Sequence, residues 1–140
     1  MSDTIFTKII KGELPAHRVY QDDRVLAFMD VNPLAEGHVL VIPKEPGASL
    51  ADLSDDSAAA IGRVLPRICR AIRKSTGCTD FNVLLNDGES AGQAVMHVHF
   101  HIIPRYEGKS EGAGLTKSWK LTKPDSEALA ELGRKIARQL

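Results

Sequence analysis

His97-Val98-His99-Phe100-His101-Ile102-Ile103 alternates imidazoles with apolar side chains. Alternate residues of an extended chain face the same way, so the pattern predicts a strand over Val95–Ile103. Its histidines would share one face. Val98, Phe100 and Ile102 would point into a core. Five histidines in 140 residues would give such a spaced triple by chance only about 0.6% of the time. A second strand, Phe81–Asn86, precedes it, and Asp87–Ala94 joins the two.

The chain before this pair supplies the rest of the sheet. Arg24–Met29 and His17–Gln21 read as a hairpin turned at Asp22-Asp23, and His38–Ile42 as a third strand after Glu36-Gly37. A short helix over Thr4–Lys11, capped by Asp3 and ended by Gly12, comes first. A long helix starts near Ser54 and runs to about Ser75, with Gly77 past its end. Ile61, Val64, Leu65, Ile68 and Ile72 form its buried stripe, and Pro66 predicts a kink. Arg63, Arg67, Arg70 and Lys74 occupy its other face, which reads as a solvated surface. Arg105–Lys120, with Gly108, Gly112 and Gly114, reads as a mobile loop. Pro124 would begin a last helix with Leu129, Leu132, Ile136 and Leu140 along one side. The order of elements, with short β-β connections, favours an α+β fold: a five-stranded antiparallel sheet, one long helix and a short helix at each end.

Composition narrows the function. Eighteen basic and eighteen acidic residues leave no net charge with the five histidines neutral. That argues against a nucleic-acid polymer or an anionic membrane as partner. The length suits one domain, residues 1–140, and an apolar share of 43% argues against disorder. No apolar run approaches a membrane span, and the N-terminal residues lack a signal-peptide core. Cys69 and Cys78 read as reduced thiols, and a cytoplasmic location is the expectation.

Three aligned imidazoles either bind a metal or act on a substrate. The loop before them favours the second. Gly88 and Gly92 allow backbone N–H groups to turn inward and hold phosphate oxygens. A neutral histidine would then attack phosphorus, and a protonated neighbour would stabilise the charge.

With its surroundings, the triple resembles the motif of the histidine-triad (HIT) family, His-φ-His-φ-His-φ-φ. Asn86 through Gln93 resembles the family's Asn-x-Gly-(x)-Gly-Gln approach. Gly37-His38-Val39-Leu40-Val41-Ile42-Pro43-Lys44 resembles its Pro-Lys strand. Ile5-Phe6-x-x-Ile9-Ile10 and Leu26–Pro33 resemble its N-terminal half. The resemblance covers nearly the whole chain, least well over Glu107–Leu140, and points to a short bacterial-type member of the nucleotide-binding branch.

The resemblance implies an enzyme that works on a purine nucleotide such as an AMP conjugate. His99 would be the nucleophile and carry the nucleoside monophosphate as a covalent phosphoramidate that water hydrolyses. His97 would orient His99 through the backbone, His101 would contact the phosphate and His38 would support the triad. Asn86, Gly92 and Gln93 would hold phosphate and sugar. Asp30, with Val31 beside it, would accept from the ribose hydroxyls. Ile5, Phe6, Ile9 and Phe28 would wall the purine pocket. Phosphoramidates and dinucleoside polyphosphates both suit such a site, and the family's habit implies a homodimer. The alternatives are a purine nucleotide-binding or regulatory module with slow or vestigial hydrolysis, and a metal-dependent hydrolase.

Two departures from the family bear on these readings. Ala94 stands where some members carry a hydroxyl that assists the leaving group. Thr4, Thr7 and Pro46 stand where bacterial relatives can carry two cysteines and a histidine for a structural zinc. No metal and no cofactor is therefore expected.

Overall fold

A computed structural model describes residues 3–108 and 125–140. Helix α1 (Ile5–Ile10) leads to strands β1 (Arg18–Gln21), β2 (Val25–Met29) and β3 (Val39–Pro43). The long helix α2 (Asp55–Thr76) follows, then β4 (Asp80–Leu85), β5 (Phe100–Arg105) and α3 (Ser126–Arg138). All strand pairs are antiparallel, in the order β1-β2-β3-β5-β4.

Both faces of the central strands are covered, so β2 and β3 read as continuous apolar runs. Val25, Ala27, Val39, Val41 and Ile102 pack with Ile61, Val64, Ile68 and Ile72 of α2. Leu26, Phe28, Leu40 and Ile42 pack on the opposite face with Phe6 and Ile9 of α1. Each such aliphatic side chain, fully buried, stabilises the fold by about 1.5–3 kcal/mol. The two apolar clusters fix the register, because a one-residue slip would exchange the faces.

The long helix matches its sequence signals. Ser54 Oγ accepts from Ser57 N–H, Asp55 and Asp56 occupy the first turn, and Gly77 closes it with φ +77°. It runs continuously across Pro66, and Leu65 is half-buried at the margin of the stripe. Cys69 and Cys78 are both free.

Three local expectations need correction. Thr4, not Asp3, caps α1: its Oγ1 accepts from Phe6 and Thr7 N–H, while Asp3 pairs with Lys11. The last strand begins at Phe100 rather than Val95. His97 N–H bonds the Val95 carbonyl and Val98 N–H the Gly47 carbonyl, which bends the chain away from the ladder. The C-terminal helix does not pack on the sheet. It buries no residue, and Leu129, Leu132, Ile136 and Leu140 are all exposed. Asp125 caps this helix, whereas Pro124 and most of the expected Arg105–Lys120 loop fall outside the described residues. No helix among the described residues is long and apolar enough to cross a membrane.

Candidate active site

The histidines gather on the sheet face that carries α1. Leu40 on β3 is paired with His101 on β5, so the two side chains lie on the same face. His38 lies two residues before Leu40, and its Nε2 is 2.9 Å from His101 Nδ1. His99 and His97 precede the strand but still face this side. The His99 ring lies 5.2 Å from that of His101 and 5.0 Å, edge to face, from Phe6.

Hydrogen-bond partners fix the tautomers. A carbonyl oxygen only accepts. His99 Nδ1, 2.7 Å from the His97 carbonyl, therefore carries a proton and donates it. That leaves the lone pair of a neutral His99 on Nε2. His97 Nε2–H likewise donates to the Pro43 carbonyl at 2.7 Å. His38 Nδ1 accepts from Leu34 N–H at 3.1 Å, so its proton sits on Nε2 and points to His101 Nδ1. His101 accepts there, and its own proton is on Nε2. The result is one imidazole with a free lone pair beside another with a free N–H.

Burial favours the neutral forms of His38, His97 and His101. His101 is pushed down to about 4, first by burial and then by the neighbouring His99 and His38, with Asp30 opposing. His38 and His97 are also lowered, chiefly by burial. The sequence alone predicts a protonated neighbour. The structure supplies instead a neutral His101 whose N–H dipole is fixed in place.

His99 and His101 line a cavity of about 380 Å³. Ile5, Phe6, Ile9, Phe28, Asp30 and Val31 line it too, so eight of the thirteen residues singled out from sequence meet there. Asp30 Oδ1 accepts from Asn32 N–H at 2.8 Å, and Oδ2 lies 3.4 Å from His38 Nε2. His38 and His97 sit behind the lining, each 1% exposed. Asn86, Gly92 and Gln93 do not line the cavity.

The loop glycines also differ from expectation. The amides of Gly88, Ala91, Gly92 and Gln93 all donate within the loop, so they do not form an open cradle for phosphate. Gly88 and Gly92 adopt positive φ to close this tight turn. Gln93 is its buried staple. Its Oε1 accepts from Gly88 N–H at 2.7 Å, and its Nε2 donates to the carbonyls of Ala48 and Val95. Sequence reasoning missed Pro15, Ala16, Met29, Asn32, Leu40 and Val95 as lining residues, whereas Ala94 lies at the cavity as the family resemblance implies. Leu40 was within reach, because strand alternation from His38 puts it on the same face.

Two metal arrangements can be tested against these contacts. A zinc held from Thr4, Thr7, Pro46 and the triad does not fit. Thr4 Oγ1 caps α1, Thr7 Oγ1 donates to the Thr4 carbonyl and His97 Nε2 donates to Pro43. Asp30, His38 and His101 do bring three ligand atoms within 4.8 Å of one another. His38 Nε2 carries its proton there, however, because Leu34 N–H occupies Nδ1. A cation would have to displace that proton, so the donor set fits poorly.

Comparison with known proteins agrees with the geometry. Residues 11–108 match the HIT domain. The protein hit of Bacillus subtilis is 43% identical over 138 residues, covering 97% of this chain and 93% of that protein. The adenosine 5'-monophosphoramidase of Candida albicans is 38% identical over 140 residues, covering 97% and 90%. The crystal structure of a HIT-family member from Bacillus subtilis superposes with a TM-score of 0.90 at 41% identity, covering 99% and 98% of the two chains. With its histidines on one sheet face and this similarity along its length, the chain belongs to the histidine-triad (HIT) family.

Proposed function

We propose that this protein hydrolyses purine nucleotides at a nucleoside monophosphate phosphorus through a covalent adduct on His99. The observation that carries this reading is the His99 tautomer: Nδ1–H is held by the His97 carbonyl, so the lone pair is on Nε2 at the cavity. A neutral imidazole attacks without first losing a proton. The P–N bond forms as the leaving group departs with its electron pair, and water then cleaves the adduct to free the nucleotide and His99.

The neighbours have separate tasks. The His97 carbonyl aims the nucleophile. His101 Nε2–H donates to a phosphoryl oxygen, and His38 holds it in the donating tautomer. Ile5, Phe6, Ile9 and Phe28 give the base an apolar wall, with Val31 at the rim. Asp30 offers carboxylate oxygens to the ribose hydroxyls. Gln93 and Gly92 shape the loop rather than touch substrate. The phosphoramidase name of the Candida relative supports an AMP conjugate as substrate.

A homodimer is part of this proposal. Among the described residues β4 has a partner strand on one side only, and Val83 on it is 47% exposed. A second copy pairing there would cover that edge.

The test is release of AMP from adenosine phosphoramidates and diadenosine polyphosphates by the purified protein. Wild type should turn over and His99→Asn should bind AMP without turnover. Normal hydrolysis by His99→Asn would remove the nucleophile assignment. Nucleotide binding by wild type with no release of leaving group or AMP would leave a binding module.

A further inference from the structure

The aim of His99 is set at a distance. The His97 carbonyl holds its Nδ1–H, so the place of His97 decides where the lone pair on Nε2 points. That place rests on three carbonyls from residues 43–48. The Pro43 carbonyl accepts from His97 Nε2–H at 2.7 Å, and the Gly47 carbonyl accepts from Val98 N–H at 2.9 Å. The Ala48 carbonyl accepts from Gln93 Nε2 at 2.8 Å. The triad segment and the loop that leads into it thus lie on one short stretch of backbone.

Beyond Pro43 this stretch leaves the sheet. Lys44 N–H still donates to the Arg24 carbonyl at 2.8 Å, and Pro46 offers no donor of its own. Glu45 is what ties it to the body of the protein. Its Oε2 accepts from Ser54 N–H at 3.2 Å and from Ser54 Oγ–H at 2.9 Å. Ser54 caps α2, whose apolar face packs into the core. The hydroxyl of buried Ser57, then the hydroxyl and N–H of Ser54, hold the Glu45 carboxyl below the usual carboxylate range against the opposing effect of burial. Glu45 therefore closes the base of a loop over residues 45–54, and a loop whose ends meet keeps its shape as a unit. A longer contact, Ser49 Oγ to Asp87 Oδ2 at 3.4 Å, joins the same loop to the glycine turn. Glu45 does not line the nucleotide cavity.

We propose that Glu45 is a positioning residue: by clasping Ser54 it holds residues 43–48 against the triad segment and so keeps His99 Nδ1–H on the His97 carbonyl. This inference rests on the proposed attack by His99 Nε2. Without the clasp the loop loosens and His97 shifts. His99 then samples the tautomer with its proton on Nε2, which has no lone pair at the cavity. A displacement of about 1 Å, even one that begins far from the chemistry, costs about 10²-fold in rate. The clasp needs an acceptor oxygen at the reach of a glutamate side chain, and it does not need the charge.

The experiment compares full-length wild type with Glu45→Ala, Glu45→Gln and Glu45→Asp. It measures kcat and KM for AMP release from adenosine 5'-phosphoramidate, and reads the histidine tautomers of the substrate-free proteins from long-range proton–nitrogen spectra. Glutamine keeps the oxygen and the reach but loses the charge. Aspartate keeps the charge but falls one methylene short. Glu45→Ala and Glu45→Asp should lose about tenfold or more in kcat, with KM within about twofold, and show a second His99 tautomer. Glu45→Gln should stay near wild type in both readouts. Aspartate near wild type with glutamine impaired would make Glu45 a charge at the helix N-terminus and overturn the inference. So would a Glu45→Ala protein that loses stability alone and keeps its kcat and a single His99 tautomer, because Glu45 would then only cap α2. If Glu45→Ala fails to fold, the glutamine and aspartate variants decide between these outcomes. A wild type that releases no AMP would remove the functional reading beneath, and the tautomer spectra would still judge the clasp.

Discussion

Replacing His101 by glutamine should make the protein less sensitive to acid, by an amount that the structure sets. Burial holds this imidazole neutral and lowers it from 6.5 to about 4, with His99 and His38 pressing the same way. In the unfolded chain it regains its ordinary value, so the unfolded state binds the extra proton first. The stability that follows is fully present above about pH 6.5 and is lost as the pH falls towards about 4. At 1.36 kcal/mol per pKa unit, the loss is at most about 3 kcal/mol. Glutamine carries no proton to gain, and its amide oxygen can still accept from His38 Nε2–H. His38 and His97 are also lowered by burial and stay in place, so the variant keeps part of the acid sensitivity. Urea unfolding of wild type and His101→Gln at pH values spanning that window measures the difference directly. An equal loss of stability in both proteins would show that His101 is not held neutral by the fold, and the neutral-donor role would fail with it.

Other residues carry simpler expectations. Gln93→Ala removes a buried staple with three backbone hydrogen bonds, and should lower unfolding stability by about 2 kcal/mol and depress kcat. A change below about 0.5 kcal/mol in thermal unfolding would mean that the loop holds its shape without it. Sedimentation should show a dimer, and introducing a charge by Val83→Glu on the open strand should weaken it. A monomer at every concentration would end that proposal.

The comparison between sequence and structure turns on how local each signal is. The ends of α2 were legible because Ser54 and Gly77 act within one turn of the helix. The apolar runs of β2 and β3 were legible because burial on both faces leaves nothing to alternate. The histidine spacing placed all three imidazoles on one side even though the strand starts only at Phe100. Its earlier residues bond to Gly47 and Pro43, far away in the chain, and no local pattern reports that. Thr4 and Asp3 are both good helix caps by type, and only the contact between Asp3 and Lys11 separates their roles.

Within the site, residue identity was more legible than protonation. The charge of His101 depends on its burial and on His38, which is 63 positions away along the chain. Gly88 and Gly92 alone make the loop read as a phosphate cradle. Its amides turn out to satisfy one another, because Gln93 folds the loop back on itself. The apolar stripe of α3 was visible as a periodicity, but periodicity does not say whether a partner surface covers it.

The central claim is that His99 Nε2 takes the nucleotide covalently. Rapid quenching of wild type with an AMP conjugate, followed by intact-mass and peptide mapping, tests it most directly. The account predicts one AMP residue per active chain, attached at His99 and absent from His99→Asn. Quenched samples that turn over substrate yet never carry AMP, or carry it on His97 or His101, would contradict it.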